Sequence, residues 1–127
     1  MKWFWRSLVV AALVVGGLAV LDGPFTALRR EVLVADALDA LERGLARHVE
    51  RLGVPVEEPF VSGGELARML VAADCLTTVP LNPDTGAPFG AVELEPDLIF
   101  YSVERDGRWL LEALAADGRE VVAVRRP

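Results

Sequence analysis

From Thr26 to Leu52 apolar residues recur every three or four positions, and this pattern limits the possible folds more than any other feature of the chain. Leu28, Val32, Ala35, Leu38, Leu41, Leu45, Val49 and Leu52 fall on one stripe of a 3.6-residue helix. Arg29, Arg30, Asp36, Asp39, Arg43, Arg47 and Glu50 fall on the other side. Asp39 and Arg43, four apart, add modest support to it. Gly53 is placed to end the helix as the residue just beyond its C-cap. A helix this long with a single apolar stripe needs a surface to lie on.

That surface is legible downstream. After Gly90 the period changes to two. Asp97 to Glu104, "DLIFYSVE", reads as a strand, and Asp106-Gly107 is a strong hairpin turn. "WLLEAL" is the returning strand, Asp117-Gly118 a second tight turn, and "EVVAVR" the last strand. The result is a three-stranded antiparallel meander, with Val92 to Leu94 as a candidate extra edge. Leu98, Phe100 and Ser102 would share one face, and Ile99, Tyr101 and Val103 the other. Both faces are apolar, so the long helix is expected to cover one of them. Between helix and sheet, "VPVEEPF" reads as extended loop. "SGGELARMLVAAD" reads as a short helix whose Ser62 and Glu65 have capping-box spacing. Trp109 and Tyr101 are expected in the core rather than in an exposed aromatic patch.

The N-terminus carries an apolar, uncharged run from Leu8 to Leu21. Lys2 and Arg6 precede it and Asp22 closes it, a bias that puts the N-terminus in the cytoplasm and the bulk of the protein across the membrane. Two readings fit. With Trp3 and Trp5 as interfacial anchors, the stretch from Trp3 approaches spanning length. Alternatively the run is a signal-peptide core, with cleavage after Ala19. "DGPF" at Asp22 to Phe25 is expected to break this first helix, with Pro24 opening the next. The expected fold is therefore α+β: an N-terminal membrane helix, a long amphipathic helix packed on a small antiparallel β-meander, and one short extra helix. Residues 1–22 form the anchor or signal peptide and 23–127 an extracytoplasmic domain.

All 19 acids lie at or beyond Asp22, together with 11 of the 13 bases, leaving a balance of −8 on that part. Such a surface repels phosphates, so nucleic acid is not an expected partner. Cys75 is the one cysteine, so no disulfide forms within the chain, and its apolar setting marks it as a buried hydrophobe. Lys2 is the one lysine against twelve arginines.

The order of long helix, short helix and meander resembles that of type IV pilins and type II secretion pseudopilins. "VPLNPDTGAPFG", Val79 to Gly90, looks like the "P-x-D-P-x-T-G-x-P" segment of pseudopilin-like proteins. "LIFYSVERDG", Leu98 to Gly107, looks like the strand reading "LYSVGPDG" that follows it there. The resemblance spans roughly Leu38 to Arg108. It implies a structural or assembly role in a secretion or pilus system, in the inner membrane, through protein partners. The leader read by a prepilin peptidase is not matched, since no glycine stands directly before Leu8, and no acid lies within the apolar run. The expectation is a pilin-like domain on an ordinary anchor rather than a filament subunit.

For chemistry the chain offers little. His48 is the one histidine and has no readable partner for a zinc site or a catalytic triad. Glu57, Glu58, Glu93, Glu95 and Asp97 read as a solvated acidic face. No catalytic residue, cofactor or small-molecule substrate is expected. Asn82 and Asp84 offer hard oxygens in an N-x-D-x-G pattern, a candidate calcium site with Glu93 or Asp97 as further ligands. The competing reading is an Asx turn in which Asn82 bonds its own backbone and Pro83 fixes φ.

Overall fold

The computed structural model describes residues 18–127. The chain divides into two compact units, Met1–Val32 and Leu33–Pro127. Among the described residues it is an α+β protein with two helices and one four-stranded antiparallel sheet. Helix α1 runs Leu18–Leu52, strand β1 Phe60–Ser62, helix α2 Gly63–Ala72, and strands β2, β3 and β4 Ile99–Val103, Trp109–Leu114 and Val121–Arg125.

The break expected at Asp22 to Phe25 is absent, because α1 continues through those residues. Proline's φ is itself helical, so a helix can run through Pro24 at the loss of one backbone hydrogen bond. Among the described residues no helix is long and apolar enough to cross a membrane. The apolar run from Leu8 lies for the most part outside those residues, and so do Lys2, Trp3, Trp5 and Arg6.

Within the second unit, α1 buries Val34, Ala37, Leu38, Leu41 and Leu45. Each fully buried leucine contributes about 2 kcal/mol of transfer free energy. The stripe is rotated and shortened against the expected one. Val49 and Leu52 are exposed, and Ala35 is only half-buried, because Val34 and Ala37 face the core instead. Gly53 ends the helix as expected: at φ +79 it donates its N–H to Val49 O at 2.8 Å. That is a left-handed cap, which a residue with a Cβ adopts only under strain.

Ser62 caps α2, its Oγ accepting from the Glu65 N–H at 3.3 Å. At the other end Cys75 N–H bonds Leu70 O at 2.7 Å and Asp74 N–H bonds Val71 O at 3.0 Å. These are the paired bonds of a Schellman cap, with Asp74 at φ 60 in the position usually given to glycine. Arg51 of α1 steadies it by donating to the Asp74 carbonyl at 2.6 Å.

The meander forms as expected, but the sheet has a fourth strand. β1 pairs with β2 (Val61 opposite Tyr101), whereas Val92 to Leu94 lie in bends and a turn. Leu94 has φ 55, which takes it out of strand geometry. β1 escapes pattern reading because three residues are too few to show alternation before a helix cap. The inner face carries Val61, Ile99, Tyr101, Trp109, Leu111 and Ala113, which join the α1 and α2 residues in one core. Arg125 on the edge strand also faces inward, reaching Asp39 at 3.2 Å and Glu42 at 3.6 Å on α1. An inward charge on an edge strand discourages pairing with another chain. On the outer face Phe60 stacks on Phe100 with ring centroids 5.5 Å apart.

α2 sits close on β2 at Gly63, where a Cβ would stand 2.9 Å from Ile99 Cβ and 3.1 Å from its Cγ2. Neither atom is the free end of a flexible chain. Gly63→Ala is therefore expected to cost about 2 kcal/mol, read as a lowered urea midpoint with an unchanged m-value. An unchanged midpoint would mean that α2 shifts freely on the sheet.

Candidate functional site

The segment from Pro80 to Asp97 holds the residues singled out for chemistry, and it is built around Asn82. This side chain is fully buried. Its Nδ2 donates to Pro96 O at 2.7 Å, and its Oδ1 accepts the Asp84 N–H at 2.8 Å. The Asn82 backbone donates to Ala87 O at 2.8 Å and accepts from Gly86 N–H at 2.8 Å. Leu81 bridges Pro88, and Phe89, buried beneath, donates to Pro80 O at 3.1 Å. The prolines and the Asx turn thus close a stiff loop with one buried polar pin.

The structure brings Asn82 and Asp84 together through that turn, and one lone pair of Asn82 Oδ1 is used in making it. Glu93 stands on the exposed tip. Asp97 instead reaches α2, where its Oδ2 accepts the Gly64 N–H at 2.9 Å. A carboxylate at a helix N-terminus is favoured by the peptide dipoles there. Glu95 Oε2 accepts the Gly90 N–H at 2.8 Å and so spans the base of the tip. Glu95 Oε1 and Asp97 Oδ1 are buried without a hydrogen-bond donor. Among the described residues, no group of three or more His, Cys, Asp or Glu side chains is arranged to hold a metal ion.

His48 Nδ1 lies 2.6 Å from Val54 O and ties the chain leaving α1 back to the helix. Tyr101, wholly buried, donates its hydroxyl to Val56 O at 2.5 Å and pins the same segment. Burial pushes this phenol up to about 12. Trp109 and Cys75 are in the core. Asp106 accepts the Arg108 backbone N–H, and this bond above all holds its carboxyl below the usual range. Beside these residues runs a groove of ≈ 500 Å³ between the segment after α1 and the β2–β3 turn. Val54, Pro55 and Val103 form its apolar wall, and Glu57, Glu104, Arg105 and Asp106 a charged rim, where Arg108 pairs with Glu104 at 3.4 Å and Asp106 at 2.6 Å.

Sequence reasoning misses two features of this region. The tether from Asp97 to α2 joins residues 33 apart, and no local pattern signals it. Leu94, expected in a candidate edge strand, is instead 96% exposed on the loop tip. Comparison with known protein families, curated proteins and solved structures finds no match to this chain.

Proposed function

We propose that this is a membrane-anchored, extracytoplasmic, pilin-like protein with a structural or assembly role in a secretion- or pilus-type system. Residues 1–22 would be its single-pass anchor, with the N-terminus in the cytoplasm and the rest of the chain outside. The observation that carries this reading is the element order: a long helix whose apolar stripe is buried with the sheet, a short capped helix, a proline-stiffened loop, then the meander. The acidic, loop-rich surface and the charge asymmetry about Asp22 support action through protein contacts.

Fractionation of cells that naturally make the protein tests the assignment. The full chain is expected in the membrane pellet after a carbonate wash, released by detergent, with an intact mass beginning at Met1. Its C-terminal part should be cut by protease added from the extracytoplasmic side. Recovery as soluble cytosolic material would overturn the proposal. A mature chain beginning at Val20 would identify a released periplasmic or secreted binding module instead.

A further inference from the structure

β4 is bound to the fold differently from the other three strands. The buried core takes Val61 from β1, Ile99 and Tyr101 from β2, and Trp109, Leu111 and Ala113 from β3. Among the described residues it takes no fully buried side chain from β4, where Ala123 packs against it only partly buried. Val121, Val122 and Val124 are 45%, 52% and 39% exposed. The strand pairs on one side only, with β3, and that ladder is interrupted. Ala113 faces Ala123 but Leu114 faces Val121, so Val122 is left as an unpaired bulge.

Arg125 ties β4 to the helical layer. It stands opposite Leu111 on the ladder, and its guanidinium reaches Asp39 at 3.2 Å and Glu42 at 3.6 Å on α1. All three side chains are partly exposed, so water and salt screen the pairs and they hold the strand only modestly. Releasing β1, β2 or β3 would return buried valine, tyrosine, tryptophan or leucine to water. Releasing β4 returns little apolar surface that water does not already reach, so its opening costs far less.

We propose that β4 is a strap that opens and closes as a unit while the rest of the sheet and its core stay intact, with Arg125, Asp39 and Glu42 as its clasp. Opening frees the N–H and C=O groups that β3 directs toward β4, an edge able to pair with another strand. The closed strap masks that edge. This goes beyond the reading of the protein as a pilin-like component and does not rest on it, because every residue involved lies in Leu33–Pro127.

Two adjacent amides report the motion. Leu114 N–H bonds Leu98 O at 2.9 Å, on the β2 side, and Ala115 N–H bonds Glu120 O at 2.7 Å, on the β4 side. Hydrogen exchange is followed by NMR on the full chain in mild detergent, each rate taken relative to its intrinsic value. Ala115 is expected to exchange about a hundredfold faster than Leu114. Arg125→Gln should speed exchange at Ala115 and Ala123 on the order of tenfold and leave Leu114 unchanged. Asp39→Asn with Glu42→Gln should do the same, and adding Arg125→Gln to that pair should change little more. Glu120 and Arg125 stand at opposite ends of β4, so fraying of the Asp117-Gly118 turn alone would not respond to the clasp. Equal protection at Leu114 and Ala115 would overturn the proposal, since β4 would then open only with the whole fold. Indifference of Ala115 to Arg125→Gln would overturn it too, as would equal acceleration at both amides, which would make Arg125 a general support of the fold.

Discussion

Replacing Tyr101 with alanine is expected to lower stability by about 4 kcal/mol, the largest loss for any single change considered. Tyr101 lies fully buried on the inner face, beside Val61 on one neighbouring strand and Leu111 on the other. Its removal opens a cavity where the sheet meets the helices. It also releases the Val56 carbonyl, and with it the segment that links α1 to β1. Domains of this size hold about 5–15 kcal/mol in total, so the variant is expected to have its denaturant midpoint roughly halved. Tyr101→Phe keeps the ring and should cost only about 1–2 kcal/mol, for the carbonyl left without its donor.

The same pair of proteins gives a signature in pH. Burial raises the phenol from its ordinary 10.0 to about 12 in the folded protein. The folded state therefore holds this proton more tightly than the unfolded chain does. Its contribution is fully present below pH 10 and is lost as pH rises from there through about 12. The loss should approach about 2–3 kcal/mol, at about 1.4 kcal/mol for each pH unit between the unfolded and folded values. Tyr101 is the one tyrosine in the chain, so Tyr101→Phe should lack this slope. Parallel losses in the two proteins would show that the buried phenol is not their source.

Asn82→Ala is the second large effect, expected at about 3 kcal/mol. The change strands the Pro96 carbonyl and the Asp84 N–H, both tied to a side chain with no exposed surface. Asn82→Asp decides between the two readings of this residue. As a structural pin, aspartate keeps the acceptor toward Asp84 but sets an oxygen against the Pro96 carbonyl. It should therefore destabilise nearly as much as alanine, with or without calcium. As a calcium ligand, aspartate would be the stronger donor, and its melting temperature would rise on adding the ion. Thermal melts of the three proteins in calcium and in chelator separate these outcomes.

The α+β layout is legible because its signals are local. The 3.6 period runs through Leu38, Leu41 and Leu45, the alternation through Ile99 and Tyr101, and the turns stand at the pairs Asp106-Gly107 and Asp117-Gly118. Gly53 and Ser62 are legible as caps for the same reason. Expectation and structure part where a distant partner decides. β1 is a strand only because β2 lies beside it. Val49 and Leu52 continue a helical stripe past the point where the core offers anything to cover. Pro24 has the sequence of a breaker but a φ that a helix accepts. At the candidate site the Asx turn can be read from Asn82 and Pro83, while the contacts of Asn82 with Pro96 and of Asp97 with Gly64 close over long loops that no spacing rule encodes.

The pairing of β1 with β2 bears on how the chain folds. Val61 meets Tyr101 across forty residues, whereas β2, β3 and β4 are joined by turns of a few residues. Closing the long loop costs chain entropy before any contact offsets it. The meander is the part able to assemble from neighbours in sequence. β1 joins it only across the longer loop that carries α2 and the proline-stiffened segment.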